Sequence, residues 1–467
     1  MSARVAIVGG GISGLAAAYY LSRAGLACTL VDPAPRLGGV ISTETVDGCV
    51  VEAGPDSFIA QKPWALELIR ELGLDGEVIG SNDHLRKTYI LRRGRLVPMP
   101  DGLFLMIPTA VAPLVATPLL GWLTKIKMAR ELLRRPPAKR AEQPDRSVAA
   151  LLSDHYGQEA VDYLAEPLLA GIYGGNAAEL SAASVLPRFV ALERRYGSLT
   201  RGVLAARREQ ETAGSGKPAP LFLTLKRGMQ QLIDGIEGSI AGRVQVVHAA
   251  VESIEASGSG YRLHCAGRPL DADHVVVATP AHAAAALVRA LDAALAEQLA
   301  AIPYHSSITI ALGYDRASFQ HPLNGFGFLV PRVERGLVTA CTWVGVKFAH
   351  RVPENRVLLR VFIGAGRDEA ILGRSDDSLI AATCYELRRL MGVTAEPRFA
   401  RVARWPRAMA QYTVGHQRRV DQINARLAAH PGLYVIGNAY LGIGIPDCIR
   451  TAQIAAARIT GALPPAP

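Results

Sequence analysis

The chain has 467 residues, 49% of them hydrophobic, with 51 Lys and Arg against 41 Asp and Glu for a formal net charge of +10. That length supports two or three domains and a large buried core, while a mean hydropathy of +0.18 falls well short of a multi-span membrane protein. No segment interleaves basic and aromatic residues as a nucleic-acid module would, so the positive balance is left to solubility, an acidic substrate or an anionic membrane, with no nucleic acid as partner.

Residues 3–25, ARVAIVGGGISGLAAAYYLSRAG, read as a buried strand, a tight turn and a helix. The strand begins almost at once and no charged leader precedes it, so a signal peptide is not expected and the cytoplasm is. Gly9, Gly11 and Gly14 fall on the GxGxxG positions, with Gly10, Ile12 and Ser13 between them. The first glycine permits the turn, the second lets backbone approach a pyrophosphate, and the third packs helix against sheet. A second strand, LACTLVD, ends in Asp32, 23 residues after Gly9, where a carboxylate would accept hydrogen bonds from a ribose. PRLGG then places Arg36, Gly38 and Gly39 directly after that acid, and VEAGPDSF follows. A plain nicotinamide domain would repeat strand and helix here instead.

Residues 102–124 carry no charge, which is long enough to span a bilayer. Pro108, Pro113 and Pro118 argue against a regular spanning helix and for a buried or membrane-dipping piece. KIKMARELLRRPPAKR follows with seven basic residues and one acid, which suits peripheral attachment to an anionic membrane surface; a solvated basic helix over an ordinary apolar core reads equally well. GRVQVVHAAVESIEASGSGYRLHC alternates with period two around a Gly-Ser turn, as a β-meander does, and ADHVVVATP reads as an apolar strand. Segments such as SSITIALGY, VTACTWVGV and RVLLRVFIG imply a further sheet. Finally LYVIGNAYLGIGIPDCIRTAQIAAARITGA gives a strand, a glycine loop and a helix with Pro446 expected at its first position. The six cysteines are scattered, with no CxxC and no His at ligand spacing, so neither a metal site nor a disulfide framework is expected.

The Arg36, Gly38, Gly39 pattern after the ribose acid resembles flavoproteins of the monoamine oxidase and phytoene desaturase group, which implies FAD rather than NAD. One glycine loop would take the FAD pyrophosphate and the other the flavin ring, whose reduction a helix N-terminus favours. GPDSF (54–58), RRGRLVPMPDG (92–102), EPLLAGIYGGNAAELSAASVLPRF (166–189), GFG (325–327), RWPRAMAQYTVGH (404–416) and GIGIPDCI (442–449) extend the resemblance over nearly the full length, to the oxygen-dependent, FAD-containing bacterial protoporphyrinogen oxidase family.

That resemblance implies a Rossmann-like α/β FAD-binding domain of the amine oxidase and GDI-like type (1–81, 221–295 and 400–467), an inserted helical domain (82–220) and a mixed-sheet substrate domain (296–399). It implies FAD contacts at Gly9 to Gly14, Asp32, Arg36, Gly39, Val40, Gly54, Pro55, Asp56, Ser57, Val251, Trp405, Asn438, Ile443, Gly444 and Ile445, with a porphyrinogen pocket reached by Gly171, Phe326 and Ile308. Phe326 reads equally as a core aromatic. Asp56 stands where eukaryotic relatives have an arginine able to pair with a substrate propionate, which leaves Lys62 as the candidate anion partner. Ala410 replaces the family's usual proline. The implied reaction oxidises protoporphyrinogen IX with molecular oxygen, with no side chain required as general base and with a homodimer left open. The alternatives are coproporphyrinogen III oxidation, a flavin amine oxidase or carotenoid desaturase, and a non-catalytic GDI-like binding protein.

Overall fold

Val5 to Val8 are all buried because the strand they form, β1 (Arg4–Val8), lies at the centre of a five-stranded parallel sheet. β2 (Ala27–Val31) and then Val244–Val247 flank it on one side, and His274–Val277 and Leu433–Val435 on the other. This computed structural model describes residues 3–136, 144–212, 220–366 and 369–463. The helix after β1, α1 (Ile12–Arg23), is buried along most of its length, with Ala16, Ala17 and Ala18 wholly enclosed. The C-terminal helix Ile445–Ile459 packs against it through Ala452, Ala455 and Ala456, and small side chains let the two come close. Each of the two helices follows the C-terminal end of its strand, so both N-termini open at one edge of the parallel sheet.

The expected meander is present as Val251–Ser257, Gly260–Cys265 and Arg268–Ala272. It shares a core with the helices Ala281–Val288 and Ala293–Ala300 on the other face of the parallel sheet. A seven-stranded mixed sheet forms the second layer system, in the order Phe399–Ala410, Tyr304–Asp315, Arg356–Gly366, Ala340–Trp343, Gly327–Leu329, Thr88–Arg92, Arg95–Pro98. Along its long strand Ile308, Ile310, Leu312 and Tyr314 lie in the core formed with Leu379, Leu387 and Leu390 of the helix Asp376–Met391, while Ala311 belongs to the opposite face, as period two dictates.

Two edges of this sheet come from segments that the sequence reading grouped elsewhere. Thr88–Arg92 and Arg95–Pro98 fall within 82–220, and Phe399–Ala410 lies almost wholly within 400–467. Thr88–Arg92 and Arg95–Pro98 form a local hairpin, but the partners that join these segments to the sheet are remote in sequence: Gly327–Leu329 runs parallel to Thr88–Arg92, with Gly327 opposite Thr88, and Phe399–Ala410 pairs with Tyr304–Asp315. No local pattern announces such a partner.

The uncharged stretch 102–124 divides into a small hairpin (Leu103–Phe104 with Ile107–Pro108), the six-residue helix Val111–Ala116 and the start of Trp122–Glu131. Among the described residues no helix is long and apolar enough to cross a membrane. Further helices, among them Val148–Tyr156, Glu166–Tyr173 and Pro187–Tyr196, close over this region's own core. Lys139 and Arg140 of the basic run lie outside the described residues.

Candidate flavin site

At the first N-terminus, Gly9 donates its amide hydrogen to the Val31 carbonyl and α1 begins at Ile12 with no side-chain cap and no acid in its first turn. Its leading N–H groups are therefore free for an anion. A side chain at Gly14 would sit 1.9 Å from the Gly9 carbonyl oxygen, whereas one at Gly11 would meet nothing within 4 Å. The loop is thus closed behind and open in front, the shape a pyrophosphate needs, and FAD fits it. Asp32 accepts from the amides of Gly10 (2.6 Å) and Ala34 (2.8 Å), which fixes the carboxylate at the end of β2. Arg36 spends its guanidinium on the carbonyls of Leu37, Ile41 and Gly39, so it builds the Gly38–Gly39 turn. That turn bridges back to Gly11, and Val40, exposed at its end, lends its carbonyl to the close approach of Gly54. Val251 begins the meander just beyond Val244–Val247, the strand whose Val247 carbonyl accepts the Asp32 amide.

The second N-terminus differs in one respect from the sequence expectation. Ile445 is the first helical residue, Pro446 the second, and the buried Asp447 the third. Asp447 accepts from the Gly444 amide at 3.3 Å and takes both bonds from the Lys62 ammonium, at 2.7 and 2.6 Å. The acid offsets part of the helix dipole, and Lys62 returns the lost positive charge. Lys62 therefore stands in an ion pair at the helix start, with its side chain still 41% exposed. Asn438 donates to the Ala408 carbonyl, and Trp405 donates to the Ala53 carbonyl at 2.9 Å, joining this end to the Gly54 segment. Ile443 and Gly444 are half-buried, and Ile445 is buried at the first helical position.

Beneath the Gly54 segment lies a buried charge cluster that sequence reading missed. The Lys347 ammonium lies 3.0 and 3.2 Å from the Asp56 carboxylate oxygens, Ser57 donates to Asp56 at 2.6 Å, and Arg360 bonds the Gly54 carbonyl and stands 3.6 Å from Asp56. Burial pushes the Asp56 carboxyl up, but Lys347, Arg360 and Ser57 outweigh it and hold it far below the usual carboxylate range. Nearby, the wholly buried Arg351 pairs with Glu52 at 2.7 Å. The Asp56 side chain thus serves the protein's own charges.

Of the residues expected at the substrate, Phe326 is buried between Gly325 and Gly327, whose φ values of 141° and 140° turn the chain past Lys87. Gly171 lies exposed near the end of Glu166–Tyr173, with Leu329 its nearest neighbour. Ile308 has no exposed surface and packs in the core against the helix Asp376–Met391, which leaves it no face for a ligand. Its parity in the strand decides this, and parity was not read from the sequence.

Residues 12–460 match the sequence profile of the flavin containing amine oxidoreductases. The chain belongs to that family. Its cofactor is FAD, and the protein is an FAD-dependent oxidoreductase with the amine oxidase and GDI-like fold. Within the family it is 37% identical to coproporphyrinogen III oxidase of Bacillus subtilis (strain 168), over 97% of this chain and 96% of that protein. It is 34% identical to coproporphyrinogen III oxidase of Propionibacterium freudenreichii subsp. freudenreichii, over 98% and 90%. Among solved structures, a candidate protoporphyrinogen oxidase from Exiguobacterium sp. 255-15 superposes with a TM-score of 0.88 at 34% identity, covering 99% of this chain and all of that one.

Proposed function

We propose that this flavoprotein oxidises a porphyrinogen to the aromatic porphyrin in heme biosynthesis, with molecular oxygen as the final acceptor, and that coproporphyrinogen III is its substrate. The observation that carries the reading is the near full-length similarity to coproporphyrinogen III oxidases, joined to a site with two helix N-termini at one sheet edge. Bound there, FAD supplies the hydride acceptor and the route to oxygen, so that three rounds remove six electrons and release three hydrogen peroxide molecules. The chain's own part is to hold and orient. Gly9 to Gly14 and Asp32 take the pyrophosphate and ribose, the 438–445 loop takes the ring edge, and Phe326 with Gly171 walls the macrocycle. No side chain need act as general base, because pyrrole N–H protons pass to water.

Protoporphyrinogen IX is the second reading, favoured by the Exiguobacterium structure. Side-by-side turnover followed by porphyrin fluorescence separates the two: faster oxidation of coproporphyrinogen III supports our choice, and preference for protoporphyrinogen IX overturns it.

We also place the protein at an anionic membrane surface on its cytoplasmic side. Val111, Trp122, Leu123 and Leu133 are exposed, the last two by 85% and 78%, beside exposed Lys127, Arg130, Arg134 and Arg135. Lys125 is not part of this patch, since it turns inward to the carbonyls of Val115 and Thr117. Binding to anionic vesicles should weaken as salt screens the basic side chains; failure to bind them at low salt excludes it.

A further inference from the structure

The 438–444 loop, which leads into the C-terminal helix, has no regular secondary structure, and Gly442 within it takes φ 137°. A free loop of this kind would wander, yet three of its backbone groups are held by two side chains. The Tyr412 hydroxyl donates to the Asn438 carbonyl and accepts the Gly442 amide hydrogen, both at 2.8 Å. His416 meets the Tyr440 carbonyl through Nε2 at 3.4 Å. The two rings stack on each other, with centroids 3.9 Å apart and planes 11° apart. Tyr412 and His416 are 3% and 1% exposed, so neither ring competes with water for its partner. Their own backbone is anchored in turn: Ser181 donates to the Tyr412 carbonyl, the Gln411 amide to the Pro303 carbonyl, and the Gly415 amide to Asp145.

From this geometry we infer that the stacked Tyr412–His416 pair is a brace that positions the flavin: it fixes the 438–444 loop, and through that loop the orientation of the ring edge. Both are positioning residues; neither is assigned a contact with the reacting atoms. Burial lowers the His416 imidazole to about 4, so it is neutral at working pH and must carry its proton on Nε2 to bond the carbonyl. The brace is therefore a stack of uncharged rings and does not switch on or off near neutrality. The inference rests on the reading that the flavin ring lies against this loop.

The test uses purified holoprotein and reads FAD release on dilution, the fine structure of the visible flavin band, and the flavin midpoint potential. Tyr412→Phe keeps the ring and the stack but removes both hydroxyl bonds; loss of two hydrogen bonds should raise FAD release roughly tenfold and alter band shape and potential. His416→Asn keeps an N–H donor near Tyr440 but removes the stack, and should shift the same readouts in the same direction by less. If Tyr412→Phe does not give folded holoprotein, His416→Asn carries the test alone. Ile443→Ala, in the loop itself, separates the two levels of the claim. A changed flavin in Ile443→Ala with an unchanged one in Tyr412→Phe and His416→Asn overturns the brace and leaves the loop as a flavin contact. No change in any of the three overturns the loop as a flavin contact, and the brace with it. Lowered melting temperature with unaltered flavin spectrum and potential would make the pair merely structural and also overturn the proposal.

Discussion

The loop before α1 and the loop before the C-terminal helix both end in a glycine without a side-chain cap, yet they are held by different means. The first is held by its own neighbourhood in sequence: Asp32 bonds the Gly10 amide, Gly38 bonds the Gly10 carbonyl, and Arg36 folds the turn that covers Gly11. The second is held from afar. Lys62 reaches Asp447 across 385 residues, and Tyr412 and His416 come from just beyond a strand of another sheet and from the start of the next helix. A phosphate cradle can be built locally because it needs only backbone N–H groups and a helix. A ring edge must be placed relative to a second domain, and only side chains from elsewhere can relay that position.

If that contrast is right, damage at the first loop should be the more complete. Gly14→Val forces side-chain carbon against the Gly9 carbonyl, 1.9 Å from where a Cβ would stand. Overpacking of that kind costs about 1–3 kcal/mol or more, and the expected outcome is protein purified without yellow colour. A Gly14→Val variant that retains full FAD occupancy would show that the helix is not packed on the turn as described. At the second loop, Lys62→Met leaves the Asp447 carboxylate buried without its cation. Because the Lys62 side chain is 41% exposed, we expect about 1–2 kcal/mol of destabilisation rather than the full cost of breaking an enclosed pair. Chemical denaturation checks this, with Lys62→Arg expected to recover most of the loss.

How much of this was legible beforehand follows the same division. GxGxxG, Asp32 and the PRLGG turn were readable because each residue acts on a neighbour within a few dozen positions, and the family pattern carried the rest of the FAD assignment. Lys62 was noticed, but as a substrate partner. Its ion-pair partner in the fold, Asp447, stands 385 residues away at the start of the C-terminal helix, where no local pattern links the two. Ile308 lies in the core because of its strand parity, which family position does not reveal, and the Asp56, Lys347, Arg360 cluster was invisible because its cations stand about 290 and 305 residues from the acid.

The charge clusters give smaller, pH-dependent tests. Asp56 has a folded pKa depressed below 3.8, so its contribution is present above that value and is lost as pH falls through the folded one. Asp56→Asn should lower the melting temperature at neutral pH and flatten its decline in acid; an unchanged acid limb would remove Asp56 from the account. In the helical region His155 lies between Glu131 (2.8 Å) and Glu193 (2.9 Å), all three buried. Burial lowers the imidazole, but the two carboxylates outweigh it and raise it above 6.5. Its stabilisation is complete below that pH and fades as pH rises through the folded value. His155→Gln should therefore melt earlier near pH 6 and approach the parent protein at alkaline pH. Parallel curves for the two proteins would contradict the assignment of a charged imidazole.

The central claim is that the flavin held between these two loops is the immediate acceptor of electrons from a porphyrinogen. Rapid mixing of the yellow holoprotein with coproporphyrinogen III in the absence of oxygen tests it most directly. The account predicts bleaching of the flavin absorption band faster than porphyrinogen decays without enzyme, with the band returning and porphyrin fluorescence growing once air is admitted. A flavin band that stays oxidised with saturating coproporphyrinogen III, and equally with protoporphyrinogen IX, would contradict it.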